Sequence, residues 1–200
     1  MDLINLNSIP SELKWKNPPL EWKVKQGATL SITAGKLTDL YNDPEGLPAV
    51  NNSPLLLFMP RGNFILSSKV KVSFSNIYDG GALILFRNPS CWAKLCFEFS
   101  YKTKPTIVSV VTKKFSDDCD SIQVEDSHVY LRISRIGRSF AFHISNNGRK
   151  WDFIRCFTLE TSEDIPAGFS AQSPKGKSCK AVFSEISFMP EKLENVREAD

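Results

Sequence analysis

Histidine is scarce in this chain, with two in 200 residues, and no stretch approaches the roughly eighteen uninterrupted apolar residues that a membrane-spanning helix needs. The first residues, Met1-Asp2-Leu3-Ile4-Asn5, lack a basic segment followed by a continuous apolar core, so no secretory signal is expected. Cysteine is present five times (Cys91, Cys96, Cys119, Cys156, Cys179), an odd number without a Cys-x-x-Cys pair or a histidine cluster. That pattern argues against a zinc site and against a disulfide framework, and it fits a reduced cytoplasmic compartment. Cys91 and Cys96, five apart on one strand, point to opposite faces and cannot pair there. No Gly-x-Ser-x-Gly elbow, phosphate loop or dinucleotide fingerprint occurs, so neither a metal nor a cofactor is expected. The net charge of +3 carries no arginine-rich run. Lys69, Lys71, Arg132 and Lys150 stand singly along strands and read as a solvated face, so neither nucleic acid nor membrane is an expected partner.

What is abundant is phenylalanine: fourteen, beside four Trp and four Tyr, with twelve Pro and ten Gly as punctuation. Aromatic residues suit pleated surfaces, and the punctuation leaves no room for a long helical pattern. Alternation then marks strands. Val70, Val72 and Phe74 oppose Lys69, Lys71 and Ser73; Leu95, Phe97 and Phe99 oppose Trp92, Lys94, Cys96, Glu98 and Ser100. Val129, Leu131 and Ile133 form one further core row, and Phe140, Phe142 and Ile144 another. Shorter runs at Trp22–Lys25, Thr29–Thr33, Leu55–Phe58, Ala82–Phe86, Ile107–Thr112, Trp151–Thr158, Gly168–Ser173 and Ala181–Phe188 complete the series. The segment Ile9–Pro19, with Pro10, Pro18 and Pro19 around Trp15, reads as a sheet edge. Asn146-Asn147-Gly148 reads as a hairpin tip with a type I′ turn. Gly35–Ser53, rich in Gly, Pro, Asn and Asp, reads as a long loop. This even spacing of short strands predicts an all-β fold: a two-sheet antiparallel β-sandwich of the jelly-roll kind, spanning residues 1–190 as a single domain, with a polar, frayed tail over 191–200.

Candidate site residues cluster on the polar side of the Trp92–Tyr101 strand. Trp92, Lys94 and Glu98, joined by Arg132 and His143 from neighbouring strands, have the residue types of a sugar groove. Aromatic faces stack on sugar C–H groups, and charged side chains bond hydroxyls. Glu98 has two other readings. One is a salt bridge or hydrogen bond to Lys94 or Arg132 that satisfies a polar sheet face. The other is glycoside hydrolysis, which needs a second carboxyl group nearby. Cys96 and Ser100 occupy the flanking positions on the same face, so a partner carboxylate would have to come from another strand. Asp117-Asp118-Cys119-Asp120 lacks the spacing and glycine of a calcium loop and reads as a solvated turn.

Several short motifs, in order, resemble the family of the fungal "regulation of enolase" protein and its uncharacterised bacterial relatives. They are Thr38-Asp39-Leu40-Tyr41 with Asp43-Pro44, Asn52 to Leu56, Tyr78-Asp79-Gly80-Gly81, Trp92-Ala93-Lys94 with Glu98, and Ser109-Val110-Val111-Thr112. Ser116-Asp117, Leu131-Arg132-Ile133 to Gly137, Ser145 to Trp151, and Ser173-Pro174-Lys175-Gly176 running to Phe183 follow. The chain departs from the family pattern at Leu40, usually an aromatic, and at Asp118-Cys119, usually Trp-Ser. The resemblance implies a concanavalin A-like jelly roll and a cytoplasmic, non-enzymatic role linked to carbohydrate metabolism. It implies as partners a metabolic enzyme such as enolase; a sugar or small metabolite is the alternative ligand.

Overall fold

The computed structural model describes residues 4–197 of the chain, and among these every regular element is a β-strand. Two seven-stranded antiparallel sheets face each other. The first runs in the order β1 (Lys14–Lys16), β6 (Leu55–Phe58), β15 (Ala167–Gln172), β8 (Gly80–Asn88), β9 (Cys91–Phe99), β10 (Pro105–Lys113), β11 (Phe115–Gln123). The second runs β14 (Asp152–Thr158), β13 (Ser139–Ser145), β12 (Val129–Ile136), β7 (Phe64–Ser73), β16 (Ser178–Met189), β3 (Thr29–Gly35), β2 (Glu21–Lys25). A small hairpin, β4 (Leu40–Tyr41) with β5 (Val50–Asn51), stands apart from both. The predicted all-β sandwich is therefore the observed architecture.

The core follows from the alternation. Ala93, Leu95 and Phe97 of β9 and Leu131 and Ile133 of β12 turn inward, and with Phe140, Phe142 and Phe169 they fill the space between the sheets. Aromatic pairs join the layers: Phe169 meets Phe183 edge-on at 5.2 Å between ring centres, and Phe74 meets Phe97 at 5.1 Å. Each such pair adds about 0.5–1.5 kcal/mol beyond its buried area. Between the sheets Gly81 is required: a Cβ there would lie 2.7 Å from the Ala181 Cβ.

Three segments differ from the sequence reading. Phe115–Gln123 is a nine-residue edge strand, not a solvated turn, paired along β10 from Lys113↔Phe115 to Thr106↔Gln123. Its polar composition hides it from hydrophobic periodicity, because an edge strand with one side in water needs few apolar residues. The Asn146-Asn147-Gly148 tip is a longer loop than a two-residue turn. Ser145 Oγ accepts from the backbone N–H of Asn147 and Gly148, Asn147 Oδ1 accepts from Arg149 and Lys150, and Gly148 alone among them has positive φ. Finally, the tail expected to fray from residue 191 lies against the second sheet as far as residue 197. Leu193 is buried beside Ile65, the Arg197 guanidinium sits 4.6 Å from the Phe153 ring, and His143 Nε2 bonds the Val196 carbonyl at 2.8 Å. Residues 198–200 of that tail lie outside the described residues.

Candidate functional site

The outward face of the first sheet is only partly apolar. Ala82, Ile84, Phe86, Trp92, Cys96, Val108 and Val110 form a second buried cluster there, capped by Leu40 from the Gly35–Ser53 segment. Beyond the loop its composition predicts, that segment folds over the sheet as a flap containing β4 and β5. Asn42 anchors one end, its Nδ2 donating to the carbonyls of Pro89 and Lys114 while its backbone exchanges hydrogen bonds with Ser116. Asn17 Nδ2 holds the other end through the carbonyls of Asn51 and Ser53.

Between this flap, β9, β10 and β11 lies an open cleft of about 780 Å³. Its floor carries Lys94, Glu98 and Gln172; Asp118 and Asp120 rise on the β11 side, and Tyr41, Tyr78 and Tyr101 contribute aromatic surface. Register places these groups together. Val110 pairs with both Lys94 and Asp118, Val108 with both Cys96 and Asp120, and Gly80 with both Glu98 and Gln172. Residues directly opposite in neighbouring strands share a face, so all these side chains point to the same side.

The floor is a continuous polar network. Lys94, 3% exposed, donates to the Leu40 carbonyl at 3.0 Å, to Gln172 Oε1 at 2.8 Å and to Asp39 Oδ1 at 3.4 Å. Those three bonds use all three ammonium protons. Burial alone would lower the Lys94 pKa, but the Asp39 carboxylate, with help from Cys96 and Glu98, reverses this, and the net shift is upward. Lys94 is thus a staple that ties the flap to the sheet. Gln172 is held just as firmly, its Nε2 donating to the Tyr78 carbonyl at 3.0 Å and to Glu98 Oε2 at 3.1 Å. Tyr78 adopts a left-handed backbone (φ 68°), which a tyrosine takes only at a cost, and there lines the cleft while its carbonyl meets Gln172.

Glu98 is 7% exposed. Burial, reinforced by repulsion from Asp39, Asp120 and Asp118 and opposed by Lys94, pushes its pKa up to about 8. At neutral pH the carboxyl is therefore predominantly protonated. The Tyr41 hydroxyl, 3.5 Å from Asp118 Oδ1, is also shifted upward, first by burial and then by that carboxylate.

Of the five residues proposed from sequence, Lys94 and Glu98 line the cleft. Trp92 lies on the same face but is fully buried in the cluster beneath the flap, so its ring is closed to a ligand. Arg132 and His143 do not join them: β12 and β13 belong to the second sheet, and both side chains face outward on the opposite side of the sandwich. There Arg132 stacks 3.9 Å over the Trp151 ring, and His143 meets the C-terminal segment. The pairing of Glu98 with Lys94 or Arg132 is likewise corrected, since its hydrogen-bond partner is Gln172. Asp39, Tyr41, Tyr78, Asp118, Asp120 and Gln172 escaped the sequence reading as site residues, although Asp39, Tyr41 and Tyr78 fall inside motifs quoted above. Sequence spacing carries no sign that a flap and an edge strand meet over one floor.

Two facing antiparallel sheets define a jelly-roll β-sandwich, and one of its outer faces carries the polar cleft. A family model, "Protein of unknown function (DUF1349)", matches residues 15–191, and the chain belongs to that family. No curated protein matches it. Among solved structures, a functionally unknown protein from Saccharomyces cerevisiae is similar over 88% of this chain and 95% of its own, with 20% identity and a TM-score of 0.81. A GH43 protein from Bacillus licheniformis, BlXynB, matches with a TM-score of 0.68 and 16% identity; the match covers 88% of this chain and only 37% of that one. A legume lectin-like domain from Entamoeba histolytica matches with a TM-score of 0.57 and 14% identity, over 88% and 89%. At these identities the likenesses show a shared fold.

Proposed function

We propose that the cleft is a carbohydrate-binding site and that the protein acts as a binding module. The observation that carries this reading is the floor itself: a buried, pre-oriented Lys94–Gln172–Glu98 network open to a cleft whose walls offer tyrosine rings and carboxylates. Rings stack on sugar C–H faces, and fixed polar groups select hydroxyl positions without an ordering cost at the moment of binding. The lectin-like and glycoside hydrolase neighbours support the reading through fold alone. The test is thermal denaturation of the protein with a panel of neutral mono- and oligosaccharides. A ligand at about 100 times its dissociation constant stabilises by about 2.7 kcal/mol. Loss of that shift in Tyr101→Ala, where the ring is largely exposed, supports the cleft; a flat panel overturns the reading.

Glycoside hydrolysis is a second reading, favoured by one observation: protonated Glu98 shares its cleft with the Asp39, Asp118 and Asp120 carboxyl groups. That chemistry requires a proton donor and a second carboxylate roughly 5–10 Å away. Release of a chromophore from aryl glycosides, abolished by Glu98→Gln, is its test. The link to a metabolic enzyme such as enolase rests on the sequence resemblance, and recovery of such an enzyme on the immobilised protein tests it.

A further inference from the structure

The chemistry of the cleft narrows the class of ligand, an inference that rests on the carbohydrate reading. Three observations bear on it. First, the buried Lys94 ammonium on the floor has no proton to offer: Leu40, Gln172 and Asp39 accept all three, and the Asp39 carboxylate balances its charge. Second, Glu98 Oε2 accepts from Gln172 Nε2, while Oε1 has no hydrogen-bond partner among the described residues and belongs to a side chain that lines the cleft. In a neutral carboxyl the carbonyl oxygen is the better acceptor, so the N–H on Oε2 favours the form with the proton on Oε1, a donor toward the cleft. Third, Asp118 and Asp120 face the cleft from β11, and on the far side Lys175 is exposed at the rim.

We infer that the cleft selects uncharged sugars over phosphorylated or uronic ones, with Glu98 acting as a neutral hydrogen-bond donor to a ligand oxygen. A phosphate or carboxylate brought into the cleft finds no buried ammonium proton on the floor and meets two carboxylates on its wall. A neutral glycan loses nothing by either. Its hydroxyls donate to Asp118 and Asp120, and a hydroxyl or ring oxygen accepts from Glu98.

Ionisation of Glu98 converts that donor into an acceptor and adds a third uncompensated negative charge, so affinity for a neutral glycan falls with rising pH. The groups around Glu98 are Lys94 and Cys96 on its own strand, Asp39 and Tyr41 on the flap, and Asp118 and Asp120 on β11, while Tyr78, Tyr101 and Lys175 complete the titratable lining of the cleft. Lys94, Tyr41 and Cys96 are all shifted upward, so each keeps its proton while Glu98 loses its own. With Glu98 titrating at about 8, affinity drops about tenfold between pH 7 and pH 9.

The experiment is titration calorimetry with short neutral glucan, xylan and chitin oligomers. Glucuronate and glucose phosphate are measured beside glucose as charged counterparts, each at pH 7 and pH 9. Expected are binding of a neutral sugar at least about tenfold tighter than of its anionic counterpart, a gap that narrows in Asp118→Asn/Asp120→Asn, and a pH dependence that vanishes in Glu98→Gln. Infrared difference spectra of the unliganded protein give a second readout: a protonated-carboxyl band that disappears between pH 7 and pH 9 and is missing in Glu98→Gln. An anionic sugar bound as tightly as its neutral counterpart, or no such band, overturns the inference and leaves the carbohydrate reading standing. Absence of binding by either class overturns both.

Discussion

Gln172 and Glu98 stand on strands two apart and bond to each other across Gly80, with Nε2 and Oε2 3.1 Å apart. The contact exists because the strand between them contributes no side chain at that level. Through Gln172 it continues to Lys94, and through Lys94 to the flap. One glycine thus permits the polar floor of the cleft.

Gly80→Ala tests that statement. The added Cβ would lie 2.7 Å from the buried Cys96 sulfur, 3.3 Å from the Phe97 carbonyl oxygen and 3.5 Å from Gln172 Cγ. Overpacking of this kind costs about 1–3 kcal/mol. Equilibrium denaturation should show that loss, and unchanged stability would mean that the floor relaxes around the methyl group.

Glu98 makes stability depend on pH in a direction opposite to the usual carboxylate. Its folded pKa is about 8, against 4.5 for the free side chain, so between these values the folded state holds a proton that the unfolded state has released. This group's contribution is therefore greatest at and below pH 4.5 and is lost as pH rises to 8, at a slope of up to about 1.4 kcal/mol per pH unit. Glu98→Gln removes the slope. Denaturation midpoints of the two proteins, compared from pH 5 to pH 8.5, should converge or cross toward the alkaline end, and parallel curves would refute the assignment.

Lys94→Met should release the flap. It leaves Gln172 Oε1 and the Leu40 carbonyl without their donor and Asp39 without its counter-charge. Asp39 keeps some access to water, so the cost should be about 2–3 kcal/mol, below the 3–5 kcal/mol of a fully buried broken pair. Hydrogen exchange should accelerate selectively at the backbone amides of Asp39, Leu40, Gly46, Asn52 and Ser53, which bond within the flap.

Removal of residues 191–200 should act on the opposite face. Burial holds the His143 pKa below 6.5, partly offset by its bond to the Val196 carbonyl. A depressed base contributes stability above its unfolded pKa that is lost as pH falls through the folded value. Truncation exposes the ring and should raise its pKa toward 6.5, readable by NMR titration. It should also cost about 1.5–3 kcal/mol through loss of the buried Leu193.

The fold was legible because its signal is local and repeated. Each strand of the core declares itself through alternation, as in Leu95–Phe97–Phe99 against Lys94–Cys96–Glu98, and pairing of such strands leaves two sheets as the way to bury their apolar faces. The polar side of β9, with Lys94 and Glu98, was legible for the same reason. Which face Arg132 and His143 would share was not. Alternation says that they point away from the core, but a sandwich has two outer faces, and only strand order assigns β12 and β13 to the sheet remote from Glu98. β11 and the flap were hidden because their strand pairing is made by backbone groups, to which hydrophobic periodicity is blind. Composition and periodicity thus determined the layers and their buried rows. The contacts that turn a polar strand face into a cleft — Lys94 to Leu40 across 54 positions, Gln172 to Glu98 across 74 — join segments remote in sequence, and only the tertiary structure could decide them.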